Sequence, residues 1–397
     1  MRLRLLLLLA LLLPSLAHAE PPRFELIYSQ PVETDLKQPL RSPGELWPAL
    51  FDGATKSIDI EQFYLAGDPG EALDPVLAAL EKAARRGVKV RILLEQKFWK
   101  QSQPTAERIK TWPNTELRVI EWSKLEPGHR KPGGIIHAKF FIVDAKLGYL
   151  GSQNFDWRSL AHIQELGALV RDTHISAQLQ AIFDHDWQAQ ALLEAHKPVP
   201  PLPASAPERK ELGYLVGSPP EWLPPGVGPS EPELVGLIDG AKTRLQIQTL
   251  KYEPLSHDRR FYPVLDTALR AAAARGVHIE LLVSDWNADQ PGQKWLQSLA
   301  CVPNVQIRMV TIPQAKRGFV PFARTVHSKF MVVDGEALWL GTSNWQGGYL
   351  NESRNVELVL RLPELAAQAA AMHAQLWASP YARTVQPGKD EPRVKRD

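Results

Sequence analysis

Two stretches of this 397-residue chain carry the same set of reactive side chains. Residues 135–155 read IIHAKFFIVDAKLGYLGSQNF, with His137, Lys139 and Asp144 in a His-x-Lys-x4-Asp arrangement, then Gly151, Ser152 and Asn154. Residues 325–345 read TVHSKFMVVDGEALWLGTSNW, with His327, Lys329 and Asp334, then Gly341, Thr342 and Asn344. Every matched position is displaced by 190 residues. One such set arises by chance often enough; two in constant register mark an internal duplication.

These residue types suit a phosphodiester, which has one negative charge and a poor alkoxide leaving group. A neutral imidazole can attack phosphorus and form a covalent phosphohistidine, dividing one hard displacement into two easier ones. A second, protonated imidazole can deliver its proton to the departing oxygen, and general acid help of this kind is worth roughly 10²–10⁴-fold. Histidine fits both tasks because its ordinary pKa lies near neutrality. Lys139, Lys329, Asn154 and Asn344 offer charge and N–H donors to the phosphoryl oxygens, a task performed elsewhere by a metal ion. Each repeat therefore supplies half a site, and the two halves must meet. The expectation includes no cofactor and no metal, since the sequence has no Cys pair, His-Glu-x-x-His or carboxylate cluster at ligand spacing.

Alternation along an extended chain puts His137 with Lys139, and His327 with Lys329, on one face of a strand. The apolar FFIV and FMVV that follow are expected of strands buried on both faces. Gly151 and Gly341 are expected to permit a tight turn returning Asn154 and Asn344 toward the phosphate. Ser152 and Thr342 are candidates to donate to a phosphoryl oxygen, or else to satisfy the turn backbone. Asp144 and Asp334 belong to the catalytic motif, although a place after an apolar run also suits capping of the strand end. Phe155, Trp157, Trp345 and Tyr349 follow the turns and are open to base stacking, lipid contact or plain core packing. The basic stretches at 129–131 and Lys316–Arg317 could gather phosphates or simply be solvated. His162, His174 and His185 are scattered and are expected at the surface.

On these residues the chain resembles the phospholipase D superfamily, whose signature is this duplicated His-x-Lys-x4-Asp with a Gly-x-x-Asn tail. YLGSQNFDWRSLAHIQELG and GTSNWQGGYLNES are similar to the animal lysosomal branch, phospholipase D family members three and four. There the first copy also reads Asn-x-Asp-Trp-Arg-Ser-Leu before a Glu, here Asn154 to Leu160 and then Glu165. The resemblance covers nearly all of residues 40–360. It implies His137 as nucleophile and His327 as general acid. It also implies an acid on each catalytic histidine to set its tautomer, a role that falls to Glu165 and Glu357, 28 and 30 residues after His137 and His327. One departure is Asp334, where that branch commonly has Glu. The branch is associated with both 5′-exonuclease action on single strands and phospholipid transphosphatidylation.

The elements that must position these groups alternate. Ser42-Pro43-Gly44-Glu45 is a capping box opening a helix through Phe51. Ser57–Tyr64 reads as a strand, Pro75–Arg86 as a helix stopped by Gly87, and VKVRILL as the next strand. The second copy repeats this: a helix capped by Ser230 with Glu233, a strand from Arg244, a helix over Pro263–Arg275 ended by Gly276, and VHIELLV. Helices are also expected at Ile175–Leu193 and Leu362–Trp377. The expected fold is α/β, with two similar lobes, each a mixed sheet flanked by helices, packed with pseudo-two-fold symmetry. The boundaries are a signal peptide over 1–19, lobe 1 over 20–195, a Pro-rich linker over 196–228, lobe 2 over 229–378 and a loosely held polar tail over 379–397.

Residues 1–19 pair Arg2 and Arg4 with an apolar run and an Ala-His-Ala cleavage pattern, the form of a secretory signal. The 46 basic residues less these two arginines equal the 44 acidic ones, so the exported chain lacks the basic excess usual in duplex binders. Cys301 is the only cysteine, which excludes an internal disulfide even in an oxidising compartment. It is expected to be a small buried side chain. The reading is a secreted or periplasmic phosphodiesterase, leaning to 5′-exonuclease action on single-stranded DNA or RNA. The alternative is a phospholipase D or phosphatidyltransferase with peripheral contact to a membrane. Clustered aromatics favour the first, while neutral charge and export favour the second. A degenerate binding scaffold would show one eroded half-site, and both are intact. With both halves in one chain, no oligomer is required.

Overall fold

The computed structural model of the chain describes residues 21–125 and 134–397. The signal-like segment 1–19 and the basic stretch 129–131 lie outside the described residues. The first lobe contains β1 (Phe24–Ser29), α1 (Pro43–Gly53), β2 (Ser57–Gln62), β3 (Leu65–Ala66), α2 (Asp74–Arg85), β4 (Lys89–Glu95), α3 (Trp99–Ile109), β5 (Thr115–Ile120), β6 (Lys139–Val143), β7 (Leu147–Gly151), β8 (Phe155–Asp156), α4 (Trp157–Ala161), β9 (Glu165–Val170) and α5 (Thr173–Glu194). Its seven-stranded sheet has the order β1-β9-β7-β6-β2-β4-β5. β2, β4 and β5 run parallel through helical crossovers, while β6, β7 and β9 are antiparallel neighbours.

The second lobe contains β10 (Gly213–Ser218), β11 (Gly228–Pro229), α6 (Ser230–Gly240), β12 (Arg244–Thr249), β13 (Tyr252–Glu253), α7 (Val264–Ala274), β14 (His278–Ser284), α8 (Gly292–Ala300), β15 (Val305–Val310), β16 (Phe330–Val333), β17 (Ala337–Gly341), β18 (Trp345–Gln346), β19 (Asn355–Leu360), α9 (Pro363–Ala378) and β20 (Ala382–Thr384). Its sheet runs β11-β10-β19-β17-β16-β12-β14-β15-β20. The seven strands from β10 to β15 in that order copy the first sheet strand for strand, and β11 and β20 extend its two edges.

Hydrophobic pattern decides the layering. One core, containing Leu26, Phe140, Ile182, Phe330, Leu358 and Met372, draws side chains from both sheets and from α5 and α9, so these two helices lie in the layer between the lobes. The outer face of the first sheet is covered by α1, α2 and α3, with Trp47 stacked on Phe155 at 4.6 Å. The outer face of the second is covered by α6, α7 and α8. The capping box at α1 is formed, Glu45 N–H donating to Ser42 Oγ and Ser42 N–H to the Glu45 carboxylate.

Several expectations change. The segment 213–218, placed in the linker, is β10, buried on every residue and paired antiparallel with β19. It repeats β1, and its GYLVGS sequence is too short and glycine-flanked to show a strand period. Ser230 does not cap α6; it lies inside the helix, and its hydroxyl donates to Glu357. The polar tail is held, not loose: Gln293 and Gln297 bind backbone carbonyls of Glu391 and Lys389, and Arg396 donates to Trp286 O at 2.9 Å. Cys301 is exposed, since the end of α8 turns it outward. His162 is buried, because the chain entering β9 passes beneath the second lobe, where Arg324 N–H binds His162 O at 2.9 Å.

Candidate active site

The duplicated strands meet through exchanged backbone contacts. Ile136 bridges to Arg354 and Val326 to Gln164, each pair parallel and each crossing from one lobe to the other. His137 N–H donates to Arg354 O at 2.9 Å, and His327 N–H to Gln164 O at 2.9 Å. These four positions obey the 190-residue register, 136 with 326 and 164 with 354, so the contacts are related by the pseudo-two-fold. The buried Arg354 guanidinium pairs with Asp186 of α5 at 2.6 and 2.7 Å, tying the lobes together behind His137.

Each histidine takes its orienting partner from the opposite lobe. His327 Nδ1 lies 2.8 and 3.0 Å from the carboxylate oxygens of Glu165. Ser159 Oγ donates to the same carboxylate at 2.8 Å. His137 Nδ1 lies 3.1 Å from Asn355 Oδ1. The amide of Asn355 is fixed by Nδ2 donating to Tyr349 O at 2.7 Å and by Thr342 Oγ1 donating to Oδ1 at 2.8 Å. Its oxygen therefore faces His137, so Nδ1 carries the hydrogen and Nε2 keeps its lone pair. Glu357 does not face a histidine. It is buried against the hydroxyls of Ser230 and Ser343, the latter at 2.5 Å, and burial pushes its carboxyl up to about 7. The register could have shown this, since 165 plus the repeat of 190 is 355, not 357.

Charge converges on the same place. Burial, then the positive charges of Lys139, Lys329 and His327, hold His137 well below the ordinary histidine range. Burial also lowers His327, but the Glu165 carboxylate opposes it. Lys139 is buried, donates to His137 O at 2.5 Å and sits 4.9 Å over the Phe63 ring; burial and Lys329 push it well down. Burial takes Lys329 down to about 7, and its Nζ has no hydrogen-bond partner among the described residues. The side-chain oxygens of Asn154 and Asn344 are likewise buried without partners there. Orphaned polar atoms of this kind are uncommon and mark a place for a ligand.

Four other candidates have their polar groups taken up by the protein itself. Asp144 and Asp334 sit at the far ends of β6 and the matching β16 with φ of 54° and 53°. Asp144 accepts the N–H groups of Thr55, Lys56 and Ser57, and Asp334 those of Lys242, Thr243 and Arg244, all at 2.7–3.2 Å. Their carboxylates close the loops entering β2 and β12 and do not touch the histidines. Ser152 Oγ is used by Leu166, donating to its carbonyl at 3.2 Å and accepting its N–H at 3.0 Å, and Thr342 serves Asn355 and Val356. Gly151 and Gly341 serve close approach, not a turn: a Cβ there would lie 2.5 Å from Gly167 Cα or Glu357 Cγ.

Of the aromatics after the turns, only Tyr349 reaches a histidine of the repeated motif, its ring 4.9 Å from His137; Phe155 and Trp345 are core. The Phe63 ring also meets that imidazole edge-on, at 5.1 Å. Asn355, Phe63 and Phe98 were not singled out by sequence, and only Asn355 had a signal there.

Comparison with known proteins agrees with this geometry. A family model described as "Cardiolipin synthase, PLD-like domain" matches residues 49–187 and again 234–377. The chain belongs to the phospholipase D superfamily. Within that superfamily it is 31% identical over 389 residues to the 5′-3′ exonuclease PLD3 of Bos taurus, covering 88% of this chain and 77% of that one. It is 32% identical over 382 residues to Phospholipase D Z of Dictyostelium discoideum, covering 89% and 88%. The 5′-3′ exonuclease PLD4 of Mus musculus is 30% identical, covering 90% and 79%. Among solved structures, the phosphatidylserine synthase of Haemophilus influenzae superposes with a TM-score of 0.61 at 12% identity, covering 87% of this chain and 85% of that one. That likeness supports the two-lobed fold.

Proposed function

We propose that this phospholipase D-superfamily phosphodiesterase works through a covalent phosphohistidine on His137, with His327 as general acid, and degrades single-stranded DNA or RNA from the 5′ end. The observation that carries the assignment is the unequal pair of orienting partners. Asn355 is neutral and fixes His137 as an Nδ1–H imidazole, leaving Nε2 to attack. Glu165 is a carboxylate and favours a protonated His327.

In the first step the His137 Nε2 lone pair bonds to phosphorus while the P–O bond to the leaving group breaks, and that oxygen takes the proton from His327 Nε2. In the second, the now neutral His327 takes a proton from water, the oxygen bonds to phosphorus, and the P–N bond breaks to restore His137. An alcohol in place of water gives transfer instead of hydrolysis. Lys139, Lys329, Asn154 and Asn344 surround the phosphoryl oxygens. Because a phosphodiester anion favours the charged form of a buried amine, substrate binding opposes the burial that lowers both lysines, and their charges stand where other enzymes place a metal ion.

The leaning to nucleic acid rests on the exonuclease relatives and on the rings around His137. Phospholipase D Z supports a second reading, action on phospholipid at a membrane face. Among the described residues no helix is long and apolar enough to cross a membrane. Export by cleavage after Ala19 is part of the proposal and rests on the sequence. The test uses the protein without its first 19 residues, in EDTA, offered a 5′-labelled single-stranded oligonucleotide or phosphatidylcholine vesicles with ethanol. Mononucleotide release by wild type, absent in His137→Ala and His327→Ala, supports the nuclease. Phosphatidylethanol without oligonucleotide cleavage overturns it in favour of the lipase.

A further inference from the structure

The two half-sites repeat their motifs but not their walls. Beside His137 stand Phe63 and Tyr349, and Phe98 packs on Phe63 with ring centroids 4.2 Å apart. His257 continues from Tyr349 at 5.0 Å, and Lys97, exposed, is close enough for its charge to add to burial in lowering His257. Phe63, Phe98 and Tyr349 are half-buried.

The matched positions beside His327 carry no rings. Register places Ser159 opposite Tyr349, and Ser159 is spent on Glu165 and on the Asn154 N–H. The strand ladders pair Glu61 with Phe140 and Gln248 with Phe330, which sets Leu250 and Lys251 opposite Phe63 and Tyr64. The wall beside His137 is therefore aromatic where the matched residues Leu250, Lys251 and Ser159 are aliphatic or polar, and Lys97 is an exposed cation at its rim.

Two occupants suit an aromatic wall, a nucleobase or a lipid tail. A lipid tail needs an apolar surface continuous with a membrane-facing patch. The exposed large apolar side chains among the described residues, Val32, Phe261, Phe319 and Phe322, belong to other segments, and the rim here is Lys97 and His257. Partly exposed rings beside an exposed lysine are what single-stranded nucleic acid uses, bases stacking and phosphates pairing.

We infer that the Phe63–Phe98–Tyr349 wall stacks the base of the nucleotide that remains bonded to His137 in the phosphohistidine, while the leaving strand passes on the His327 side. This rests on the nuclease reading above and adds which side of the scissile bond is read. It makes Phe98 a specificity residue that touches base, not phosphate.

The test compares three oligonucleotides in cleavage of the first phosphodiester: fully based, abasic at the 5′-terminal nucleotide, and abasic at the second. With wild type, loss of the terminal base is expected to lower kcat/KM about ten-fold, the scale of one base–ring stack, and loss of the second base to have little effect. In Phe98→Ala and Phe98→Leu the ratio of based to terminally abasic substrate should collapse toward one. A variant that is merely less well folded lowers both substrates together and leaves the ratio intact, which overturns the inference. A base effect that tracks the second nucleotide overturns it too. Failure of wild type to cut any of the three sinks the nuclease reading itself, a result distinct from cleavage without base dependence.

Discussion

Replacing Glu165 by Gln removes one negative charge from the His327 side chain and leaves a hydrogen-bonding group of the same shape. Burial already lowers the proton affinity of His327, and Glu165, in contact through Nδ1 at 2.8 Å, is the group that opposes this. An opposite charge at such range commonly favours the charged imidazole by roughly 1.4–4 kcal/mol, a factor of about 10–10³ in the protonated fraction. The sign follows directly. Without Glu165 the pKa of His327 falls further, so the acid form is lost at lower pH and the alkaline limb of the rate profile moves toward acid. At neutral pH kcat should drop by about 10²–10³, within the range of general acid catalysis. The mirror substitution, Asn355→Asp, puts a charge beside His137, raises its proton affinity and moves the acid limb up, because a protonated imidazole cannot attack. The assay is kcat/KM against pH on a single-stranded oligonucleotide for wild type, both single variants and the double. An E165Q profile with an unmoved alkaline limb and an unchanged rate would refute the division of labour between the two histidines.

Three further outcomes follow from the geometry. A phosphodiester with a 4-nitrophenolate leaving group needs no proton, so His327→Ala should recover most of its lost rate in the first-turnover burst of nitrophenolate, with hydrolysis of the phosphohistidine still slow, while His137→Ala gives no burst. Equal recovery in both would show that the nucleophile is misassigned. Asp144→Ala and Asp334→Ala should each lose about 1–3 kcal/mol of stability from uncapped N–H groups and keep kcat within about three-fold, measured by denaturant melts beside rates. Burial alone would raise these carboxyls, but their backbone donors outweigh it and hold both below the ordinary range; the caps' contribution is present above about pH 4 and lost as pH falls through the lower folded value, so the Ala variants should lose less on acidification. Arg354→Met leaves Asp186 charged and buried, and should cost about 3–5 kcal/mol, with thermal unfolding as the readout; the paired change with Asp186→Leu should regain much of it.

How much of this was legible depends on whether a residue's task is set by local period or by the other lobe. His-x-Lys followed by an apolar run fixes a strand and its face, because alternation is a local property of extended chain. Constant register fixes the duplication, and a duplicated half-site implies a shared one. The orienting partners belong to a different class. Glu165 lies in the same lobe as His137 yet binds His327, and Asn355 crosses the other way, because Gln164 and Arg354, one residue before each, make the interlobe bridges. Sequence distance from a histidine thus pointed to Glu357, a residue two positions along β19 that points to the same side as Asn355 but is taken up by Ser230 and Ser343. The repeat carried the correction, since an orienting group at 165 demands its counterpart at 355. What register alone does not carry is where the divergent positions fall in space. Phe63 against Leu250, Tyr349 against Ser159 and Asn355 against Glu165 are where the two halves differ, and only packing across the pseudo-two-fold shows that all three differences fall on the two histidines. On the proposed reading, these three exchanges set the nucleophile beside an aromatic wall and the acid beside a carboxylate.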